Sequence, residues 1–283
     1  MDYTAPPVLA LTLVKAGESK SLLSFQDLVI RGFYSGALLG IATTLAITMI
    51  VQTKSPSLGA IIFPWAFCGI VIFGMELVTG NFALLTASLL AGRVRWGKVI
   101  NNWLWVYLAN FLGCLFVALL MGYSLTNAGT VEPNAVGQKI MAIAEAKSLA
   151  VKEMGLNGFL LFIVRGIICN WLVCLAVMFS IASKSVPGKF IGCWFPIMTF
   201  VALGMEHIVV NMFFITAGMI MGAPITPTDM LVWDFLPVTI GNLIGGGFFV
   251  GSLFYFTHYK KEQVSVQPVV NEAQNKPAGY SKF

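Results

Sequence analysis

Six apolar runs, at about 28–51, 59–91, 99–125, 157–182, 190–222 and 235–257, are separated by short segments that hold most of the charge. A bilayer core about 30 Å thick takes about 20 helical residues. Four of the runs fit one tilted helical crossing each. The second and fifth are too long for that, because a straight helix over either would extend nearly ~50 Å at 1.5 Å per residue. Each also carries an acidic residue near its middle, Glu76 and Glu206. The pattern therefore predicts an all-α integral membrane fold of six transmembrane helices, with spans 2 and 5 broken halfway across.

Between the third and fourth runs, the stretch 135–154 predicts a short helix lying over the external mouth. The organisation expected is an N-terminal segment (1–24), a six-span domain (25–258) and a polar, disordered tail (259–283). Six crossings place both termini on one side. That side carries Lys15, Lys20, Arg93, Arg95, Lys98, Lys184, Lys189, Lys260 and Lys261. The opposite side has Lys54 in one short loop and Asp229 and Asp234 in another. Positive residues concentrate on the cytoplasmic face, so both termini are expected there, in a cell or plasma membrane.

Composition agrees. Of 283 residues, 58% are hydrophobic and only 10% charged, with a mean hydropathy of +0.84. A soluble domain carries roughly 25% charged residues, so this surface faces lipid. The first 24 residues lack the long apolar core and cleavage site of a secretory signal. Orientation accounts for the net charge of +5 without a nucleic-acid partner. Cys68, Cys114, Cys169, Cys174 and Cys193 all lie in apolar runs and show no metal-ligand spacing, so neither metal nor cofactor is expected.

The two halves of the chain resemble each other. Gly74-Met75-Glu76-Leu77-Val78-Thr79-Gly80-Asn81 matches Gly204-Met205-Glu206-His207-Ile208-Val209-Val210-Asn211, 130 residues later. Asn110-x-x-Gly113 matches Asn242-x-x-Gly245, and Arg31-Gly32 matches Arg165-Gly166. Each half holds three spans, an odd number, so the halves insert with opposite orientation. Interrupted helices at matching places in inverted halves point to a transport site. Irregular backbone at that depth is tolerated only inside protein or along a cavity. The freed N–H groups and positive helix ends at such a break favour an anion.

Glu76 and Glu206 sit where an ionisable group costs several kcal/mol unless it is paired or solvated. They act either as substrate or proton ligands, or as structural groups capping their own broken helices or bonding the repeat-related asparagines, Asn81 and Asn211. Two bare carboxylates would hinder an anion, which favours the structural role. His207 has no counterpart, since Leu77 holds its place in the first half. An imidazole there can exchange or share a proton near neutral pH. Thr79, in the other break, offers a hydroxyl donor. Asn170 and Asn242 either brace the breaks or face the pathway. Arg165 either attracts anions or snorkels. Phe67 and Phe200 precede the breaks at constriction distance.

Taken together, Glu76–Asn81, Gly204–Asn211, Cys169-Asn170-Trp171-Leu172-Val173-Cys174-Leu175-Ala176 and Pro237-Val238-Thr239-Ile240-Gly241-Asn242 resemble the signatures of the formate/nitrite transporter family. The resemblance covers about 25–258. It implies an aquaporin-like fold in a homopentamer with one pore per protomer, passing small anions such as formate, the preferred substrate, or nitrite. Hydrosulfide and lactate are alternatives of the same kind. By the same resemblance His207 is the central pore histidine, with Thr79 across the pore. Asn170 and Asn242 hydrogen-bond around the histidine and the substrate, and Phe67 and Phe200 form the constrictions. Lys147 and Lys152 compete for the role of the anion-attracting loop lysine.

Two other classes fit less well. A water or glycerol pore would carry Asn-Pro-Ala at each break, and that motif is absent. A membrane-embedded enzyme could draw on Cys174 or Ser180 with His207 as base, but it would not need two symmetric breaks.

Overall fold

The computed structural model describes residues 3–260, so the tail expected to be disordered lies almost wholly outside the described residues. Every element named here is helical. In chain order they are α1 Pro6–Ser21, α2 Phe25–Thr53, α3 Pro56–Ile62, α4 Trp65–Ile72, α5 Val78–Leu90, α6 Trp96–Leu125, α7 Ala135–Glu153, α8 Leu156–Ala182, α9 Val186–Ala202, α10 Ile208–Ile220 and α11 Pro227–Tyr259. Four of them (α2, α6, α8 and α11) are long and apolar enough to cross a membrane. The remaining apolar helices are shorter and meet in two pairs, α4 with α5 and α9 with α10, each separated by five non-helical residues.

The long helices pack in matching couples. In α2 and α6, Gly36 lies against the Asn110 carbonyl and Gly113 against the Phe33 carbonyl, so closely that a Cβ would collide with backbone. Gly241 and Gly245 of α11 approach the Ile163 and Ile167 carbonyls of α8 in the same way. Without a hydrophobic force between helices in lipid, such small residues are what allow close backbone approach. Large apolar side chains such as Ile30, Leu104, Leu112, Phe116, Val164 and Phe248 are exposed on the outer faces, as a lipid-facing surface requires.

Both interruptions are made by the same local chemistry. Gly74 and Gly204 adopt φ of +67° and +66°, a region that costs an L-residue with a side chain about 1–2 kcal/mol. Behind each glycine, the Met75 N–H returns to the Ile70 carbonyl (2.9 Å) and the Met205 N–H to the Phe200 carbonyl (3.0 Å). These six-residue closures, with the Gly74–Val71 and Gly204–Val201 bonds inside them, satisfy carbonyls that the ended helices leave free.

The structure adds one feature that the sequence reading did not specify and departs from that reading in another. The segment 1–24 holds a helix, α1, started by Pro6 and Pro7 in its first turn, and Ser88 Oγ donates to the Val14 carbonyl at 2.6 Å to dock it. Asp234, expected in an external loop, is fully buried within α11. Its acidity and the nearby Pro227 and Asp229 lower the local hydropathy and hide the true helix start. The loop helix expected at 135–154 is α7, capped by Asn134, whose side chain accepts from the Val136 and Gly137 amides.

Candidate functional site

Each broken helix restarts against an asparagine from a long neighbour. Asn110 of α6 accepts from the Val78 N–H at 3.0 Å and donates to the Glu76 carbonyl (3.0 Å) and the Gly32 carbonyl (2.8 Å). Asn242 of α11 accepts from the Ile208 N–H at 2.9 Å and donates to the Glu206 carbonyl (2.9 Å) and the Gly166 carbonyl (2.9 Å). The freed backbone groups are therefore met by amides and not by the two glutamates. One carboxamide supplies both donors and an acceptor to a dry site, which no hydrophobic or singly polar side chain could do.

The glutamates are buried, at 1% and 3% exposure, and each meets a lysine and an asparagine. Glu76 pairs with Lys20 of α1 and accepts from Asn81 at 2.7 Å. Glu206 pairs with Lys147 of α7 and accepts from Asn211 at 2.8 Å. The second amide hydrogen of Asn81 goes to Asn102, and that of Asn211 to Asp234. Lys147, which the resemblance offered as an anion attractor, thus has its charge compensated within the break. Lys152 pairs instead with Asp229 at 2.8 Å and stays half-exposed.

A lysine or glutamate left alone here would be an uncompensated charge, and breaking a buried pair costs about 3–5 kcal/mol. Lys147→Met is therefore expected to lower thermal stability strongly, while Lys147→Met with Glu206→Gln recovers most of it. Additive losses in that double-mutant cycle would show that the pair does not hold the break.

Between the two breaks, Thr79 Oγ1 and His207 Nε2 lie 3.0 Å apart, both fully buried. His207 caps α10, its Nδ1 accepting from the Val210 N–H at 3.3 Å. With Nδ1 so used, the proton of the neutral ring sits on Nε2 and is donated to Thr79 Oγ1. The Thr79 hydroxyl hydrogen is then free for a third group. Phe200 stacks on the imidazole, ring centroids 5.8 Å apart, and Phe63 meets Phe200 edge-on at 6.0 Å.

Two cavities flank this core. One of about 220 Å³, on the α1 side, is lined by Lys20, Phe67, Met75 and Asn81 among others. The other, of about 210 Å³, is lined by Phe63, Lys147, Phe200, Met205 and Asn211 among others.

Asn170 donates to the Thr79 carbonyl (3.0 Å) and the Asn242 carbonyl (2.6 Å) and makes no hydrogen bond to the imidazole. It positions the Thr79 backbone. Arg165, partly exposed on α8, has no ion pair among the described residues and lines neither cavity. Lys20, Asn102, Asn110, Asp234 and Phe63 were not among the expected site residues. For Asn110, the repeat with Asn242 was the available signal. For Lys20 there was none, because its partner is 56 residues away.

Two helix pairs interrupted around a shared polar core, sheathed in apolar helices, define a membrane transport protein and not an enzyme. The chain belongs to the formate/nitrite transporter family, whose model matches residues 7–256. It is 34% identical to the formate channel BtFdhC of Bacillus thuringiensis over 94% of this chain and all of that one. Among solved structures it resembles an FNT family ion channel (25% identity, TM-score 0.76, covering 88% of this chain and 98% of the other). It also resembles a pentameric formate channel with formate bound (25% identity, TM-score 0.64, covering 82% and 96%).

Proposed function

We propose that this protein passes formate through a pore in each protomer, by way of the two cavities and the Thr79–His207 pair between them. In this reading the chain crosses the membrane six times, α4–α5 and α9–α10 each forming one broken crossing. The halves are then inverted, aquaporin-like repeats, and both termini are cytoplasmic. The protomers form a pentamer, as the name of the formate-bound structural neighbour says of that protein. The observation that carries the reading is the Thr79–His207 hydrogen bond at the meeting point of the two breaks. It is polar, it lies between two cavities, and the repeat does not require it.

The mechanism follows from desolvation. A carboxylate that leaves an aqueous cavity for a passage walled by Phe67 and Phe200 loses hydration, which raises its pKa and favours proton uptake. We assign the proton to the external solution, relayed through water in the cavity, so that anion and proton enter together and no hydroxide is left behind. His207 Nδ1 accepts the Val210 amide, so protonating the ring would break the cap of α10. The imidazole and the Thr79 hydroxyl then serve as hydrogen-bond partners to the passing acid or anion. Glu76, Asn81, Glu206 and Asn211 hold the breaks, and Asn170 and Asn242 brace them.

In proteoliposomes, formate uptake is expected to strengthen as external pH falls, because more of the anion is neutralised at the entrance. Competition by nitrite, hydrosulfide and lactate ranks the substrates. Uptake that ignores pH, with equal displacement by all three, would overturn formate selectivity and the proton link together.

A further inference from the structure

The two cavities are matched in volume but not in charge. On the α1 side Lys20 faces Glu76, and on the other side Lys147 faces Glu206, so each pair is formally neutral. The α1-side cavity holds one further cation, Lys189, which lines it together with Lys20 and Ser180. The Lys189 ammonium has no ion pair among the described residues, and the side chain is partly exposed. It rises from the first turns of α9, past the Ser185 cap.

The repeat gives Lys189 no structural reason to exist. At the 130-residue offset that relates the breaks, its counterpart is Gly59, which lines the opposite cavity. A Cβ at Gly59 would press on Ile50 at 2.6 Å and on the Ala46 carbonyl. At the opposite cavity a side chain at that place would have to displace Ile50, and the sequence keeps glycine there. The lining lysines and Glu76 give the α1-side cavity a net positive charge, whereas at the other Lys147 meets Glu206 and a further carboxyl, Asp234, stands behind Asn211. A low-dielectric funnel with one uncompensated cation concentrates anions at its mouth.

We propose that Lys189 is the anion-recruiting residue of the α1-side cavity, holding a small oxyanion such as formate against its ammonium before the anion reaches Phe67. Lys189 thereby makes entry from that side the higher-affinity direction. This rests on the transport reading above. It adds that the two directions of entry differ and names the residue responsible.

The test compares full-length protein in inside-out and right-side-out membrane vesicles, with formate varied on the outside at low and high salt. For Lys189→Gln, the half-saturating formate concentration from the α1 side is expected to rise about three- to tenfold at low salt. The difference should shrink at about 1 M salt, where screening falls to about 3 Å. Entry from the opposite side and the maximal rate should change by less than about twofold. Lys189→Arg should restore wild-type values. Equal shifts on both sides, a shift blind to salt, or failure of arginine to rescue would each overturn the assignment.

A wild type that moves no formate would instead defeat the transport reading. In that case Lys189 is judged by binding alone, as line broadening of carbon-13 formate by the purified protein. Salt-sensitive broadening that is lost in Lys189→Gln supports the site, and equal broadening in both proteins overturns it.

Discussion

Asn242→Ala is expected to unfold the second break. Asn242 serves three backbone groups at once, the Ile208 N–H and the carbonyls of Glu206 and Gly166. It is wholly buried, so alanine leaves the Ile208 N–H and the Glu206 carbonyl without a partner and admits no compensating solvent, while the Gly166 carbonyl keeps its own bond within α8. Each orphaned buried group costs about 1–3 kcal/mol, giving on the order of 2–6 kcal/mol for the two. That is a large share of the roughly 5–15 kcal/mol by which proteins are stable. The purified variant should lose its monodisperse oligomer, or melt about 10 °C or more below wild type. Asn242→Asp should do no better, since the carboxylate keeps the acceptor but loses both donors. Asn110→Ala is expected to repeat the result in the first half, where the same three bonds run to Val78, Glu76 and Gly32. A melting temperature within about 2 °C of wild type for Asn242→Ala would refute the brace.

The asparagine brace also shows which parts of the architecture were legible in the sequence. Asn110 and Asn242, Gly74 and Gly204, and Gly113 and Gly245 were all visible as matched positions, because the repeat preserves the residues that the break geometry needs. Periodicity and length were enough to place α2, α6 and α8 to within a few residues, since lipid demands about 20 apolar residues whatever the topology, but they missed the first turns of α11, which begins at Pro227. The partners of the glutamates were harder to find. Lys20 lies in a segment with no strong hydropathy signal, and its pairing with Glu76 bridges elements that only tertiary packing brings together. Lys147 was noticed as a charge, but a lysine in a loop helix looks the same in sequence whether it awaits an anion or neutralises a carboxylate. Asp234 looked like an external acid for a related reason. A single carboxyl lowers local hydropathy by the same amount whether water or Asn211 meets it. Phe63 was indistinguishable in sequence from the many phenylalanines that face lipid, and its burial, its place in the cavity lining and its edge-on contact with Phe200 separate it from them.

His207→Phe is expected to cut formate flux by about 10- to 150-fold while leaving the oligomer intact. Phenylalanine keeps the planar ring that stacks on Phe200 and nearly fills the same volume, so packing changes little. The ring nitrogens are lost. Nε2 no longer holds Thr79, and the passage between the two cavities loses its one ring donor. A hydrogen bond to a charged partner is worth about 1.5–3 kcal/mol, and that difference in the barrier sets the expected fold-change. Nδ1 also stops accepting the Val210 amide, which trims stability by about 1 kcal/mol, the usual effect of losing a helix cap. Thr79→Val should give a smaller flux defect, because His207 Nε2 remains free to donate. His207→Asn should recover part of the flux, since a carboxamide offers both a donor and an acceptor at that depth. The measurement is initial formate uptake in proteoliposomes, with the oligomer checked by gel filtration. Wild-type flux in His207→Phe would place the pathway elsewhere in the bundle. An intact oligomer with flux lost in His207→Phe and partly regained in His207→Asn locates the polar exchange at His207, where the other half of the chain carries Leu77.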